Sequence, residues 1–231
     1  MRRISIILLV ALVAVAAAAV ARAAQSPKKL RSSIQHAVFS QAGVHYSETA
    51  SAKGLKQTTV GDAATDRGSQ DITVHLGGKT GHFTVIVIVN TAYLRADATA
   101  LNAYLGFPST AARKYAGRWI SIPRTSAAFG TLAADVTVSS LVADHVATRK
   151  TSIVGGTLGG RSVIGLRGVT TVGGVSNTST VYVRSAKQAL PIEATDFSSK
   201  HGFRDTIEFS RWNETVSVKA PRHAVSISKL S

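Results

Sequence analysis

Seven histidines, twelve acids and a few serine and glycine phrases are the residues of this chain that could do chemistry. His36, His45, His75, His82, His145, His201 and His223 are scattered, with no pair at metal-ligand spacing on a clear helical face. His75 and His82 flank one hairpin and could approach each other, but no carboxylate partner lies nearby in sequence, so no metal site is expected. Ser226-Ile227-Ser228-Lys229 matches S-x-x-K by letter. That motif works from a helix start with serine and lysine on one face, whereas here it lies in alternating sequence without companion motifs. The glycines of Gly155-Gly156-Thr157-Leu158-Gly159-Gly160 lack the G-K-[ST] ending of a phosphate loop and read as hairpin turns. Asn177-Thr178-Ser179 and Asn213-Glu214-Thr215 are glycosylation sequons by letter only. Glu193 with Asp196, and Asp205 with Glu208, are the closest acid pairs; with Lys200, Arg204 and Arg211 beside them they read as surface salt bridges rather than a glycosidase pair. H-E-x-x-H, G-x-S-x-G and Walker motifs are absent from the sequence. No catalytic constellation and no cofactor are expected.

The elements that would carry a binding site are clearer. Ser26-Pro27 reads as an N-cap followed by proline at the first helical position, with Leu30, Ile34 and Val38 at period 3.6; a helix is expected over 27–41, ended by Gly43. From Val44 the period becomes two. Strands are expected over 44–48, 56–60 and 72–76, with 62–69 a turn-rich connector and 77–81 a hairpin loop. Phe83 to Val89 is apolar on both faces, Phe83, Val85, Val87 and Val89 on one and Ile86 and Ile88 on the other, so each side needs cover. Thr91 to Arg95 returns as a strand. A helical block follows: 98–105 capped by Asp97, 109–116, a face of Phe129, Leu132, Ala133 and Val136, and a face of Leu141, Val142, His145 and Val146, with Trp119 to Pro123 extended between them. Strands resume over 152–158, 162–169, 178–185, 190–195, 206–212 and 215–219, with 224–228 a further candidate. This order gives an α+β fold with a large antiparallel sheet, not alternating βαβ units.

Composition narrows the setting. The chain has 231 residues, 45% of them hydrophobic, enough for a real core, and no cysteine. Disulfides, thiolate zinc sites, thiol nucleophiles and a lipidated N-terminal cysteine are therefore excluded. Met1-Arg2-Arg3, the apolar run Ile4 to Ala21 and Ala21-Arg22-Ala23 form the pattern of a secretory signal peptide over 1–23; an uncleaved anchor is the alternative. Cleavage leaves Ala24 to Ser231, 208 residues read as one domain, and losing Arg2, Arg3 and Arg22 takes the net charge from +15 to +12. Only 6% of residues are aromatic, poor material for stacking bases, so nucleic acid is not an expected partner. An anionic membrane or wall surface suits the charge, as does a simple solvated basic surface.

The order of elements also resembles a known family. The carrying phrases are Gly61-Asp62 before Gly68-Ser69-Gln70, Thr91-Ala92-Tyr93-Leu94, and Lys114-Tyr115-Ala116-Gly117-Arg118-Trp119-Ile120. They continue with Val181-Tyr182-Val183 ahead of Leu190-Pro191-Ile192-Glu193, and Lys219-Ala220-Pro221. In order and texture the mature chain resembles the LolA-like fold, specifically the LppX/LprG type of mycobacterial envelope lipoproteins. The resemblance implies a strongly curved antiparallel half-barrel of about ten or eleven strands, helices on its concave face, and an apolar cavity between them that takes acylated lipid. It implies no catalytic residues. Ala23-Ala24 stands where the lipoproteins keep a cysteine, so secretion without a lipid anchor is the expectation.

Two functions are carried forward. One is a carrier or binder of a hydrophobic ligand, expected as a monomer, with Phe83, Val85, Ile86, Val87, Ile88, Val89, Leu101, Leu105, Phe129, Leu132, Leu141 and Val142 as candidate cavity-lining residues. The other is a basic envelope protein with a filled core that holds acidic polymers or a protein partner.

Overall fold

A computed structural model describes residues 26–134, 136–172, 174–200 and 202–230. The signal segment expected over 1–23, its expected cleavage site and His201 lie outside them. Helix α1 (Pro27–Phe39) begins as its sequence demands: Ser26 is the N-cap and accepts from the Lys29 amide, Pro27 opens the helix, and Leu30, Ile34 and Val38 are its buried stripe. It ends short of Gln41, whose side chain donates back to the Ala37 carbonyl at 2.9 Å, and Gly43 already belongs to the first strand.

Strands β1 (Gly43–Ala52), β2 (Leu55–Ala64), β3 (Arg67–Leu76), β4 (Lys79–Ile88) and β5 (Thr91–Ala96) form an antiparallel meander. The expected connector over 62–69 is almost entirely strand, leaving Thr65-Asp66 as the turn. Gly61 and Gly68 are close-approach glycines within strands rather than turn glycines. A Cβ on Gly61 would lie 2.6 Å from the Tyr46 ring, and one on Gly68 only 2.4 Å from the Val136 carbonyl. The expected loop over 77–81 likewise shrinks to Gly77-Gly78, both at positive φ.

The helical block starts with Asp97, whose carboxylate accepts from the Ala100 amide at 2.7 Å and the His82 amide at 2.9 Å. The turn it caps runs as a π-helix over Ala100–Tyr104. Helix α2 (Ser109–Tyr115), strand β6 (Ile120–Pro123), helix α3 (Ala127–Ala133) and helix α4 (Val138–Ala143) follow. Val136 lies beyond α3, and His145 and Val146 beyond α4. The chain leaves the helix there because the His145 imidazole is bonded to Asp196 and its carbonyl accepts from the Ser179 hydroxyl.

A second meander comprises β7 (Arg149–Leu158), β8 (Arg161–Val172), β9 (Val175–Val183), β10 (Pro191–Ser198) and β11 (Phe203–Ser210). Strand β11 then pairs with β1, joining the two meanders. The strand expected over 215–219 does not form: β11 already has β1 and β10 on its two sides, so the next segment has no free edge beside it. The chain instead crosses to the far edge, where β12 (Val225–Ser226) lies parallel to β6. Among the described residues twelve strands make one open, curved sheet in the order β12-β6-β5-β4-β3-β2-β1-β11-β10-β9-β8-β7. The fold is α+β, as expected, with one more strand than the upper expected count.

The helices pack on one face of this sheet, here called inner, over two separate apolar clusters. Under α1 and α4 lie Val44, Tyr46, Leu166, Val181 and Ile207 with Leu30, Ile34, Leu141 and Val142. Under the π-turn, α2 and α3 lie Val85, Val87, Leu94, Leu101, Tyr115, Ile120 and Val136. The link from α3 to α4 runs over Gly68, along the seam between the two.

Candidate functional site

The two-faced strand resolves into an inner and an outer set. Val85 and Val87 are buried beneath the helices with Leu101, while Phe83, Phe129 and Leu132 are half-buried against the same cluster. Ile86 and Ile88 point to the outer face, opposite Tyr93 and Thr91 of β5, and are half-buried. Val89 does not continue the inner face. It occupies the β4–β5 turn at φ 51°, is 51% exposed, and its amide donates to the Asp66 carbonyl. Leu105 follows the π-turn at the surface. Leu141 and Val142 are fully buried, but in the other cluster, under α1. The twelve candidates are thus not one lining; the inner half of β4, the π-turn and α3 bring about half of them together.

Beside that group lies a groove of about 540 Å³ between the β4–β5 turn, α3 and the start of α4. Val87, Val89, Phe129 and Ala133 give it an apolar lining, and Asp66, Asn90, Arg124 and Thr137 are among its polar residues. Arg124 is held in place by its donation to the Asn90 side chain at 3.2 Å. The hydrogen bond from Arg67, outweighing slight desolvation, holds the Asp66 carboxyl below its ordinary pKa. None of the residues of α3 is buried, although Ser126 caps it. The volume is that of a small-ligand pocket. Its lining is about half apolar and half polar, with the Arg124 cation matched by the Asp66 carboxylate. Val89 adds a further sign: a β-branched residue in the left-handed region is strained, and such strain clusters at functional sites.

A second assembly was missed in the sequence. Asp196 and Asp205 are not surface residues; they are 4% and 5% exposed, opposite each other on β10 and β11 and beside buried His145. Burial presses the His145 pKa down, but the hydrogen bond and charge of Asp196, with Asp205 and Glu48 nearby, prevail and push it up to about 9. The signal was present in the alternation: Ala194-x-Asp196-x-Ser198 and Asp205-x-Ile207-x-Phe209 put both acids on the face of Ala194 and Ile207. The outward partners Glu193 and Glu208 also face each other. Burial first, and the charge of Glu208 second, raise the Glu193 carboxyl above its ordinary value. A third group joins His45, Asp62 and Glu214, with Arg211 reaching Asp62 at 3.3 Å and Glu214 at 3.4 Å. His75 and His82 bond to Thr80 and Thr73 on the outer face of their hairpin. The S-x-x-K serine, Ser226, sits at the β12 edge and bonds to Ser228. No helix among the described residues is long and apolar enough to cross a membrane.

No family model matches this chain, and no curated protein matches its sequence. Solved structures do match. An uncharacterized conserved protein of Thermus thermophilus is 10% identical with a TM-score of 0.47, over 88% of this chain and 99% of that one. The Pseudomonas aeruginosa MucA/MucB complex matches at 9% identity and a TM-score of 0.38, over 89% of this chain and 60% of that one. The lipoprotein LppX of Mycobacterium tuberculosis matches at 14% identity and a TM-score of 0.50, over 84% of this chain and all of that one. The fold of this chain is therefore LolA-like, similar to that of LppX in its open, curved antiparallel sheet and helical cover.

Proposed function

We propose that this chain is an exported, non-enzymatic binder or carrier of a hydrophobic ligand, a lipid or acyl chain, seated between the sheet and its helices with the α3 groove as entrance. The observation that carries the reading is that groove: a mixed lining whose apolar part is continuous with Val87 of the inner cluster, covered by a short helix that buries none of its own residues. The LppX-like fold supports it, because the resemblance implies a lipid between sheet and helices. The N-terminal signal pattern supports export. Native mass spectrometry of the protein purified from its own host tests the reading. A co-purifying species of lipid mass, released by organic solvent, is expected. A ligand-free spectrum, together with no binding of a fluorescent long-chain fatty acid, would overturn it.

A second reading has its own observation. Strand register aligns Lys56, Ser51, Arg204, Phe197, Thr178, Val169 and Arg149 in one row across the outer face. Arg204 stacks over Phe197, which is 46% exposed. Such a row suits an acidic polymer. Salt-sensitive retention on dextran sulfate, lost in Lys56→Ala/Arg204→Ala, would favour it over the lipid reading if no lipid is found.

A further inference from the structure

We propose that His145, Asp196 and Asp205 form a buried site for one divalent transition ion, zinc in the first instance, which fastens the chain leaving α4 to strands β10 and β11. One ligand atom from each residue lies within 4.8 Å of the other two, and all three residues are at least nine-tenths buried. Ligands about 2.1 Å from a tetrahedral ion stand roughly 3.4 Å apart, so small movements complete the site: the hydrogen-bonded His145–Asp196 pair parts as the ion takes the place of the proton between them. His145 comes from a distant part of the chain, and β10–β11 register forces the two carboxylates face to face. Like charges opposite each other destabilise a strand pair, and burying them away from water magnifies the cost. His145, bonded to Asp196, offsets at most one of the two carboxylate charges, whereas a divalent ion taken up as the imidazole gives up its proton offsets both.

Independent signs point the same way. Asp196 uses one carboxylate oxygen on His145; the other is buried and has no hydrogen-bond partner. Thr170 Oγ1 and Asn177 Oδ1, opposite each other on β8 and β9, are also buried and unpartnered. Both residues belong to the same face as Ser179, which stands opposite Asp196. Two acceptor oxygens and one hydroxyl are thus left buried without partners on this face, which a cation with a bound water can satisfy. The His45, Asp62 and Glu214 group differs, because Arg211, a cation that cannot give up its proton, reaches both of its carboxylates. The donor set selects the ion. One imidazole nitrogen with two carboxylate oxygens suits zinc, whereas calcium seeks six to eight oxygens. The site stands whichever ligand the α3 groove accepts.

The test uses the full purified chain, stripped with chelator and titrated with ZnCl2 or CaCl2. Elemental analysis after gel filtration is expected to give one zinc per chain. At a hundredfold excess over Kd, zinc should raise the melting midpoint by about 5–10 °C, and calcium should not. Asp205→Asn should lose both the stoichiometric zinc and the shift, while Glu214→Gln keeps them. Should Asp205→Asn fail to fold, Co2+ bound to wild type replaces it as the readout. A visible absorption band of a four-coordinate ion, displaced by zinc, with imidazole resonances of one buried histidine shifted by the metal, supports the site. No stoichiometric zinc on wild type, or zinc lost in Glu214→Gln and kept in Asp205→Asn, overturns the proposal.

Discussion

Gly130 offers the sharpest test of the α3 groove. It sits inside a seven-residue helix, it is exposed, and a Cβ built on it meets nothing within 4 Å. Glycine in a helix interior costs about 0.8–1 kcal/mol relative to alanine, so Gly130→Ala should raise stability by about that amount. For a chain of this length that is a rise of roughly 2–4 °C in the melting midpoint. Gly130→Trp retains part of the helix gain, because tryptophan outranks glycine as a helix former. Its indole enters the groove lined by Val87, Val89 and Phe129. The pair therefore separates occupancy of the groove from stability. Binding of a fluorescent long-chain fatty acid, with melting measured on the same samples, is the assay. The alanine variant should bind within twofold of wild type. The tryptophan variant should bind at least about tenfold more weakly, a difference of about 1.4 kcal/mol, while melting no lower than wild type. Equal binding by both variants, each as stable as expected, would show that ligand does not pass through this groove. A strongly destabilised tryptophan variant would refute the claim that the space is open.

Other outcomes follow from single positions. Val89→Asn should raise stability by about 1 kcal/mol in chemical denaturation, because asparagine tolerates the left-handed backbone that strains valine. Gly68→Ala should lower it by about 1–3 kcal/mol, since the new methyl meets the backbone oxygens of Val136 and Asp62 at 2.4 and 2.5 Å. Glu193→Gln should stabilise the protein at pH 7. The raised pKa means that ionisation disfavours the folded state, a penalty absent below the unfolded carboxyl pKa of about 4.3, building as pH rises from there to the folded value and constant above it; the two proteins should converge by about pH 3.

Much of the fold was legible because local rules and tertiary needs agreed. Ser26-Pro27 with Leu30, Ile34 and Val38 states where α1 starts and which side it buries. Gly77-Gly78 and Gly159-Gly160 mark hairpin turns that the structure closes there. Reading failed where one residue type serves two purposes. Gly61 and Gly68 look like turn residues, yet they clear space for Tyr46 and for the link after α3. Thr215 to Lys219 alternates like a strand, yet a strand also requires an unpaired neighbour, which sequence spacing does not record. Acids usually lie at the surface, and residue type alone places Asp196 and Asp205 there. Their alternation with Ala194 and Ile207 was the stronger signal. The site was harder still, because Val89 and Val87 read alike in a period-two pattern and differ only in where the turn begins.

The central β1–β11 pairing sets the order in which such a chain can assemble. Every other antiparallel pair but β5–β6 joins consecutive strands through short connections, whereas His45 opposite Ser210 closes a loop of about 165 residues. Loop-closure entropy makes that step about 2.5 kcal/mol more costly than closing a ten-residue turn. The two meanders can form early from local contacts, and their junction must come late, once both present matched edges. Before it forms, β1 and β11 each expose a long unpaired edge with apolar inner side chains such as Tyr46 and Ile207. The vulnerable species during synthesis is therefore a pair of finished half-sheets awaiting each other, and a partner chain offering the complementary edge would yield a strand-exchanged dimer.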